Sequence, residues 1–295
     1  MERKRATAVL VLLWLLTGIS SIGKEKDKSL WKDASVEVGD IKMHYLDAGT
    51  GDRVLVFIPG WTMTTDIWRE QVPYFSARGF RVIALDPRSQ GLTTKTESGN
   101  TYQQHAADLH AFLESLKIEH SYLIAAGSGV MTLLDYISSP EALKPEKMVF
   151  VEGGPSVLKA DDFPGVMTLQ QARRLVLGLQ EDRAKSTEQY VRSMFKQRPP
   201  ELLITDLVKS SLKTPLSAAL SLFFDYVTRD RRPALLHIEV PSLIVTAPEN
   251  RAVGEYMMGK IPKSSIEIID GAGPAVYIDK SQAFNQILEN FLGDR

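Results

Sequence analysis

From residue 35 to the C-terminus, short runs dense in β-branched and aromatic residues alternate with longer stretches whose apolar positions recur every three or four residues. The runs SVEV and IKMHYL read as an antiparallel hairpin turned at Gly39-Asp40. They are followed by RVLVFI (53–58), FRVIAL (80–85), SYLIA (121–125), KMVFV (147–151), SLIVTA (242–247) and SIEIID (265–270). Helical periodicity is centred near 66–77, 102–116, 130–138, 252–260 and 280–292. Strands alternating with helices predict an α/β architecture on a mostly parallel sheet.

Between Pro155 and Leu236 the strand signal stops. LQQARRLVLGLQEDRAKSTEQYVRSMF and PLSAALSLFFDYVTRD keep helical spacing and are interrupted at Pro199-Pro200 and Pro215. This predicts a helical cap inserted at 155–236, with the α/β core split between 35–154 and 237–295. Ligands of α/β sheets bind outside the carboxyl ends of the strands, so the insertion is expected to roof the site. Its apolar positions, such as Leu216, Leu220 and Phe223, read as packing rather than as a substrate box.

The first 23 residues combine a basic start (Arg3, Lys4, Arg5), an apolar run from Ala6 to Leu16, and small residues at Ser21 and Gly23. Those are the three parts of a signal peptide, and the run is shorter than the ~20 residues that span a bilayer. A secreted or periplasmic protein is expected, with residues 24–34 as a polar linker. The alternative is an uncleaved N-terminal anchor, which would then be the only membrane contact.

The chain has 295 residues, 44% of them hydrophobic, enough for a full core. Lys and Arg (35) nearly balance Asp and Glu (36), leaving a net charge of −1 that favours neither nucleic acid nor an anionic membrane surface. The expected partner is a small molecule or an ester-type substrate. With no cysteine there is no thiol nucleophile, disulfide or cysteine-based zinc site, and no histidine pair has ligand spacing on one element. Neither a cofactor nor a metal is expected.

Three motifs in order resemble those of the α/β-hydrolase fold. VLVFIPGWTMTTDIW is similar to the first parallel strand and oxyanion loop, with Pro59-Gly60 where most relatives carry His-Gly. ALDPRSQGLTTKT resembles an Asp-x-Arg-Gly-x-Gly loop, with Ser89 in place of the first Gly. TYQQHAADLHAFLESLKIEHSYLIAAGSGV follows the spacing of the helix, strand and nucleophile elbow. The likeness covers nearly everything after residue 35 except the cap. It implies that Asp86 and Arg88 pin the oxyanion loop and that Trp68 is core.

The elbow of this fold has small residues two positions either side of its tip. Centred on Gly127, the flanks are Ala125 and Gly129; centred on Ser128, they are Ala126 and the β-branched Val130. The first register fits better and puts no nucleophile at the tip, although Ser128 stays as an alternative nucleophile. The resemblance then gives Ser128 a backbone N–H as one oxyanion donor and Trp61 the other, with Gly60 beside them.

The family's histidine follows the last strand in a Gly-Ala-Gly-His turn. Here the turn is Gly271-Ala272-Gly273-Pro274, so proline, which neither titrates nor donates, has replaced the base. The acid is expected at Glu152 or at Asn250, where Asp is usual. His120 and His237 precede their strands and so sit at the far end of the sheet. His105 and His110 are five apart on one helix, and His44 reads as a surface or cross-strand residue.

Three readings follow. The leading one is an impaired or inactive esterase relative that binds a small apolar or carboxylate-bearing ligand under its cap. The alternative is an active hydrolase of esters or related acyl compounds working through Ser128 or a water near Glu152. The third is a partner-binding protein with no pocket function.

Overall fold

The predicted hairpin opens an eight-stranded sheet. The computed structural model describes residues 30–293. The expected signal peptide and most of the polar linker lie outside the described residues. β1 (Lys32–Val38) pairs antiparallel with β2 (Ile41–Ala48). β2 in turn pairs antiparallel with β4 (Arg81–Leu85), and every later neighbour is parallel. With β3 (Val54–Ile58), β5 (Tyr122–Ala126), β6 (Lys147–Val151), β7 (Ser242–Thr246) and β8 (Ser264–Ile268), the order across the sheet is β1-β2-β4-β3-β5-β6-β7-β8. β1 starts three residues inside the predicted linker, because Lys32, Asp33 and Ala34 pair with Asp47, Leu46 and Tyr45.

Period-two alternation sorts each central strand between two cores. On β3, Val54, Val56 and Ile58 face one cluster, and Leu55 and Phe57 face the other. On β6, Met148 and Phe150 part from Val149 and Val151 in the same way. A sheet apolar on both faces needs helices on both. One face is covered by α2 (Tyr102–Ser115) and α3 (Gly129–Ile137) through Leu109, Phe112, Val130 and Leu134, and by α8 (Arg251–Met258) through Val253 and Met257. The other is covered by α1 (Gln71–Ser76), α9 (Val276–Asp279) and α10 (Ser281–Leu292), chiefly through Val72, Phe75, Val276, Phe284 and Leu288.

The stretch expected as one helix over 66–77 is instead a 3₁₀ turn, Thr65–Trp68, followed by α1. Pro73 explains the break. Having no N–H, it sits only in a helix's first turn, so a new helix must start just before it.

Between β6 and β7 the chain forms four helices, α4 (Leu169–Glu181), α5 (Arg183–Ser193), α6 (Glu201–Leu212) and α7 (Leu216–Thr228). Thr168 and Gln171 close a capping box on α4, while Pro200 and Pro215 immediately precede α6 and α7. A third apolar cluster joins Ala172, Leu179, Ala219, Leu222 and Phe223 of these helices to Trp61, Tyr102 and Met131 of the core. Among the described residues, no helix is long and apolar enough to cross a membrane.

Buried charge fixes the loop after β4. Asp86 is 1% exposed, and its carboxylate accepts from Thr65 N–H (2.8 Å), Leu92 N–H (2.8 Å) and His44 Nδ1 (2.8 Å). It therefore holds the loop after β3. Arg88 acts separately, with a buried bidentate pair to Asp108 and a second to Asp40. His44 is no surface residue: Asp33 meets its Nε2 at 3.1 Å. A neutral imidazole donates from only one nitrogen, so two carboxylates, one at each, favour the cation. Burial pulls His44 down, yet Asp86 and Asp33 outweigh it and the net shift is upward. Asp86→Ala would strand His44 and two amides, and we expect it to lower unfolding free energy by about 3 kcal/mol in urea titrations.

Candidate functional site

At the carboxyl end of β5 the backbone turns through Gly127, at φ +54°, and enters α3. This is the left-handed region, nearly free for glycine and costly for other residues. Gly127 is thus the tip of the elbow, and Ser128 is the residue after it, at the N-cap of α3. The backbone around the tip leaves no room for larger residues at Gly129 or at Gly153, just past β6. A Cβ on Gly129 would lie 2.6 Å from Pro59 O, and one on Gly153 would lie 2.2 Å from Gly127 O. A Cβ on Gly127 itself would meet only Gly60 Cα, at 3.8 Å. The turn has space for a side chain at its tip and carries none.

Ser128 points elsewhere. It is 3% exposed, and its Oγ accepts a 2.7 Å hydrogen bond from the Tyr102 hydroxyl. Burial raises the Tyr102 phenol well above its ordinary pKa, so it stays protonated and takes no proton from the serine.

Gly60 packs against the elbow, so closely that a Cβ there would lie 3.0 Å from Ala126 O and 3.4 Å from Ser128 N. The loop is clamped by Gln90, whose amide oxygen accepts from Thr62 N–H and whose Nε2 donates to Gly60 O and Met63 O. The backbone N–H groups of Trp61 and Ser128 have no acceptor among the described residues. The Trp61 indole is occupied in the cap instead, donating to Ala219 O at 2.8 Å.

The two candidate acid positions meet. Glu152, at φ +52° just past β6, accepts hydrogen bonds from Ala247 N–H and from the Asn250 side-chain amide. Burial, aided by the charge of Glu249, pushes its carboxyl up to about 7 against those two bonds. At neutral pH it is close to half protonated.

Pro274 occupies the turn after β8 where the base was expected. The turn is stapled to the cap. Ala275 N–H donates to Met194 O (2.7 Å), while Gly273 N–H (2.8 Å) and Lys196 N–H (2.7 Å) both donate to the Asp279 carboxylate. No histidine is hydrogen-bonded to the elbow: His44 is held by Asp33 and Asp86, His105 is buried and pushed down to about 4, His110 lies beside Glu114, His120 is exposed beside Glu146, and His237 is exposed at the end of its 3₁₀ turn. Among the described residues no three His, Asp or Glu side chains gather so as to hold a metal ion.

A family model described as alpha/beta hydrolase fold matches residues 53–281. The chain belongs to the α/β-hydrolase family. A putative non-heme chloroperoxidase of Synechocystis is 26% identical over 263 residues, covering 85% of this chain and 95% of that protein. A bifunctional esterase/perhydrolase of Acinetobacter calcoaceticus is 23% identical over 228 residues, 75% and 83% of the two chains. Among solved structures, the bromoperoxidase of Bacillus anthracis superposes with a TM-score of 0.84 at 24% identity, covering 89% of this chain and all of that one. An esterase of Exiguobacterium antarcticum also reaches 0.84, at 20% identity over 88% and 99%. Likeness to these two structures establishes the fold alone.

Sequence reasoning missed Gln90 as the clamp of the oxyanion loop and Tyr102 as the partner of Ser128. The only signal for Tyr102 was a hydroxyl-bearing residue at the start of an apolar-faced helix.

Two outcomes are expected. The Cβ of Gly127→Ser would make only an ordinary contact with Gly60 Cα, so the substitution should cost mainly the left-handed strain, about 1–2 kcal/mol, whereas Gly129→Ala forces backbone apart and should cost more; thermal melts of the two compare them. The second concerns Glu152, whose folded pKa lies above its unfolded value. Its contribution is fully present below about 4.5 and is lost as pH rises through about 7. Stability should therefore fall between pH 5 and 8, and Glu152→Gln should flatten that slope in urea titrations.

Proposed function

We propose that this hydrolase-fold protein holds a small acyl or carboxylate-bearing molecule at its elbow without the nucleophile and base of a serine hydrolase. The observation that carries this reading is Gly127 at the left-handed tip of a turn whose flanks are still sterically constrained. Two unpaired amides at Trp61 and Ser128 are suited to an oxyanion or carboxylate. They polarise a bound carbonyl, but no attacking group follows. Ser128 is tied to a protonated tyrosine, and proline stands on the turn expected to supply the base. On the same reading, the signal-peptide pattern of residues 1–23 sends the domain out of the cytoplasm.

A second reading, hydrolysis of esters or related acyl compounds, is favoured by the relatives, which are named for peroxidase and for esterase/perhydrolase activity. Ser128, or a water activated by Glu152, would then start the reaction, and Glu152 titrates where a general base works well. An esterase panel over acyl chain lengths separates the two. We expect no turnover by the unmodified protein and measurable turnover by Gly127→Ser/Pro274→His. Turnover by the unmodified protein would overturn the first reading. Its loss in Ser128→Ala would then assign the serine, and its loss only in Glu152→Gln would assign the water.

A further inference from the structure

β1 is an edge strand, and among the described residues it pairs with β2 alone. It buries Val38, half-buries Ala34 and Val36, and leaves Lys32, Asp33, Ser35 and Glu37 exposed. Among the described residues one side-chain hydrogen bond ties it to the rest of the protein, between the Asp33 carboxylate and His44 Nε2 at 3.1 Å.

His44 joins that exposed carboxylate to a buried one. Its side chain is 7% exposed and stands between Asp33, 72% exposed, and Asp86, 2% exposed, which meets Nδ1 at 2.8 Å. The register explains the first contact. Ser35 lies opposite His44, so Asp33, two residues back on the same face of β1, reaches the ring diagonally. The second follows from the main chain, where Asp86 N–H donates to His44 O at 2.9 Å as β4 ends beside β2.

Both contacts are attractive only while the ring carries two protons. A neutral imidazole has one N–H and one lone pair. Asp86 is shut away from water and depends on protein donors, whereas Asp33 is hydrated, so the remaining proton stays on Nδ1. Nε2 then turns its lone pair on an Asp33 oxygen, acceptor against acceptor. One proton therefore changes the sign of the contact.

Other charges near the ring are engaged elsewhere or belong to the same hairpin. Glu37 and Lys42 face each other across it, and the Lys95 ammonium donates to the carbonyls of Gln90, Gly91 and Thr93. Asp66, in the 3₁₀ turn after β3, accepts from Ser210 of the cap. None of these pairs with His44, whose two ion-pair partners are Asp33 and Asp86.

We propose that Asp33 and His44 form a pH-operated latch on the edge strand: the protonated imidazole fastens β1 to the loop that carries Asp86, and loss of that proton turns the same contact into a repulsion that loosens β1. Burial pulls the ring down, but Asp86 and Asp33 carry it above its ordinary value. The latch is thus fully closed below about 6.5 and opens as pH rises through the higher folded value. Opening it exposes the outer edge of β2.

The test is hydrogen exchange of the full chain at pH 5.5 and 8.5, corrected for the intrinsic rate, with protection of β1 read relative to β6. In the unmodified protein that ratio should fall about two- to fivefold at the higher pH, the range for an ion pair with an exposed partner. Asp33→Asn offers an oxygen to the charged ring and an N–H to the neutral one, so its ratio should stay level, whereas Asp33→Ala should show the loosened value at both pH values. In a ring titration by NMR, one of the five histidines should titrate above 6.5 and move down in Asp33→Asn. The proposal is overturned if β1 protection does not fall, or if Asp33→Asn leaves every histidine titration unchanged. Glu152, near 7, and Lys95, pushed down to about 8 by burial, titrate in the same range, but neither is bonded to β1. A fall that persists in Asp33→Asn would assign the response to them and overturn the latch.

Discussion

At the carboxyl ends of three neighbouring strands, backbones come together with no side chain between them. Gly60 sits on the backbone of Ala126, Gly127 and Ser128, Gly129 faces Pro59 O, and Gly153 faces Gly127 O, and a single added carbon would collide at the last two of these contacts. That approach fixes how β3, β5 and β6 end relative to one another, and therefore where the oxyanion loop, the elbow and Glu152 stand. It constrains the flanks of the turn and leaves its tip unconstrained. For this reason the architecture accommodates glycine at the tip of the turn.

The charged frame behind this junction performs the second task. Asp86 ties β2, the loop after β3 and its own loop through three hydrogen bonds, and Gln90 closes the same loop from the other side. Ser89, where the resemblance leads one to expect glycine, holds φ +63° with its N–H on Thr94 O and its Oγ accepting from Thr96 N–H. These local bonds offset the strain of a non-glycine residue there. Thr62 is held at φ +55° in the loop after β3, where its hydroxyl meets Ser211 of the cap.

Much of this was legible in the chain. Strand positions follow from apolar runs that alternate between two cores, and the small residues around Gly127 identify the elbow because a steric rule acts on adjacent positions. Pro200 and Pro215 mark helix starts for the same local reason. What was not legible depends on distant partners. His44 looks like an ordinary strand residue until Asp33 and Asp86 arrive from β1 and from the loop after β4. Glu152 and Asn250, read as rival positions for one acid, are hydrogen-bonded to each other.

The staple between the last turn of the core and the segment after α5 ties the roof to the floor of the site. Asp279 accepts from Gly273 on one side and Lys196 on the other, and Ala275 donates to Met194, so the cap cannot lift at this corner without breaking hydrogen bonds on both sides. The amide hydrogens of Lys196 and Ala275 consequently act as paired clocks for the breathing of the roof. Both exchange with solvent only when this corner opens, while the amides within β5 and β6 keep the slower time of the whole fold.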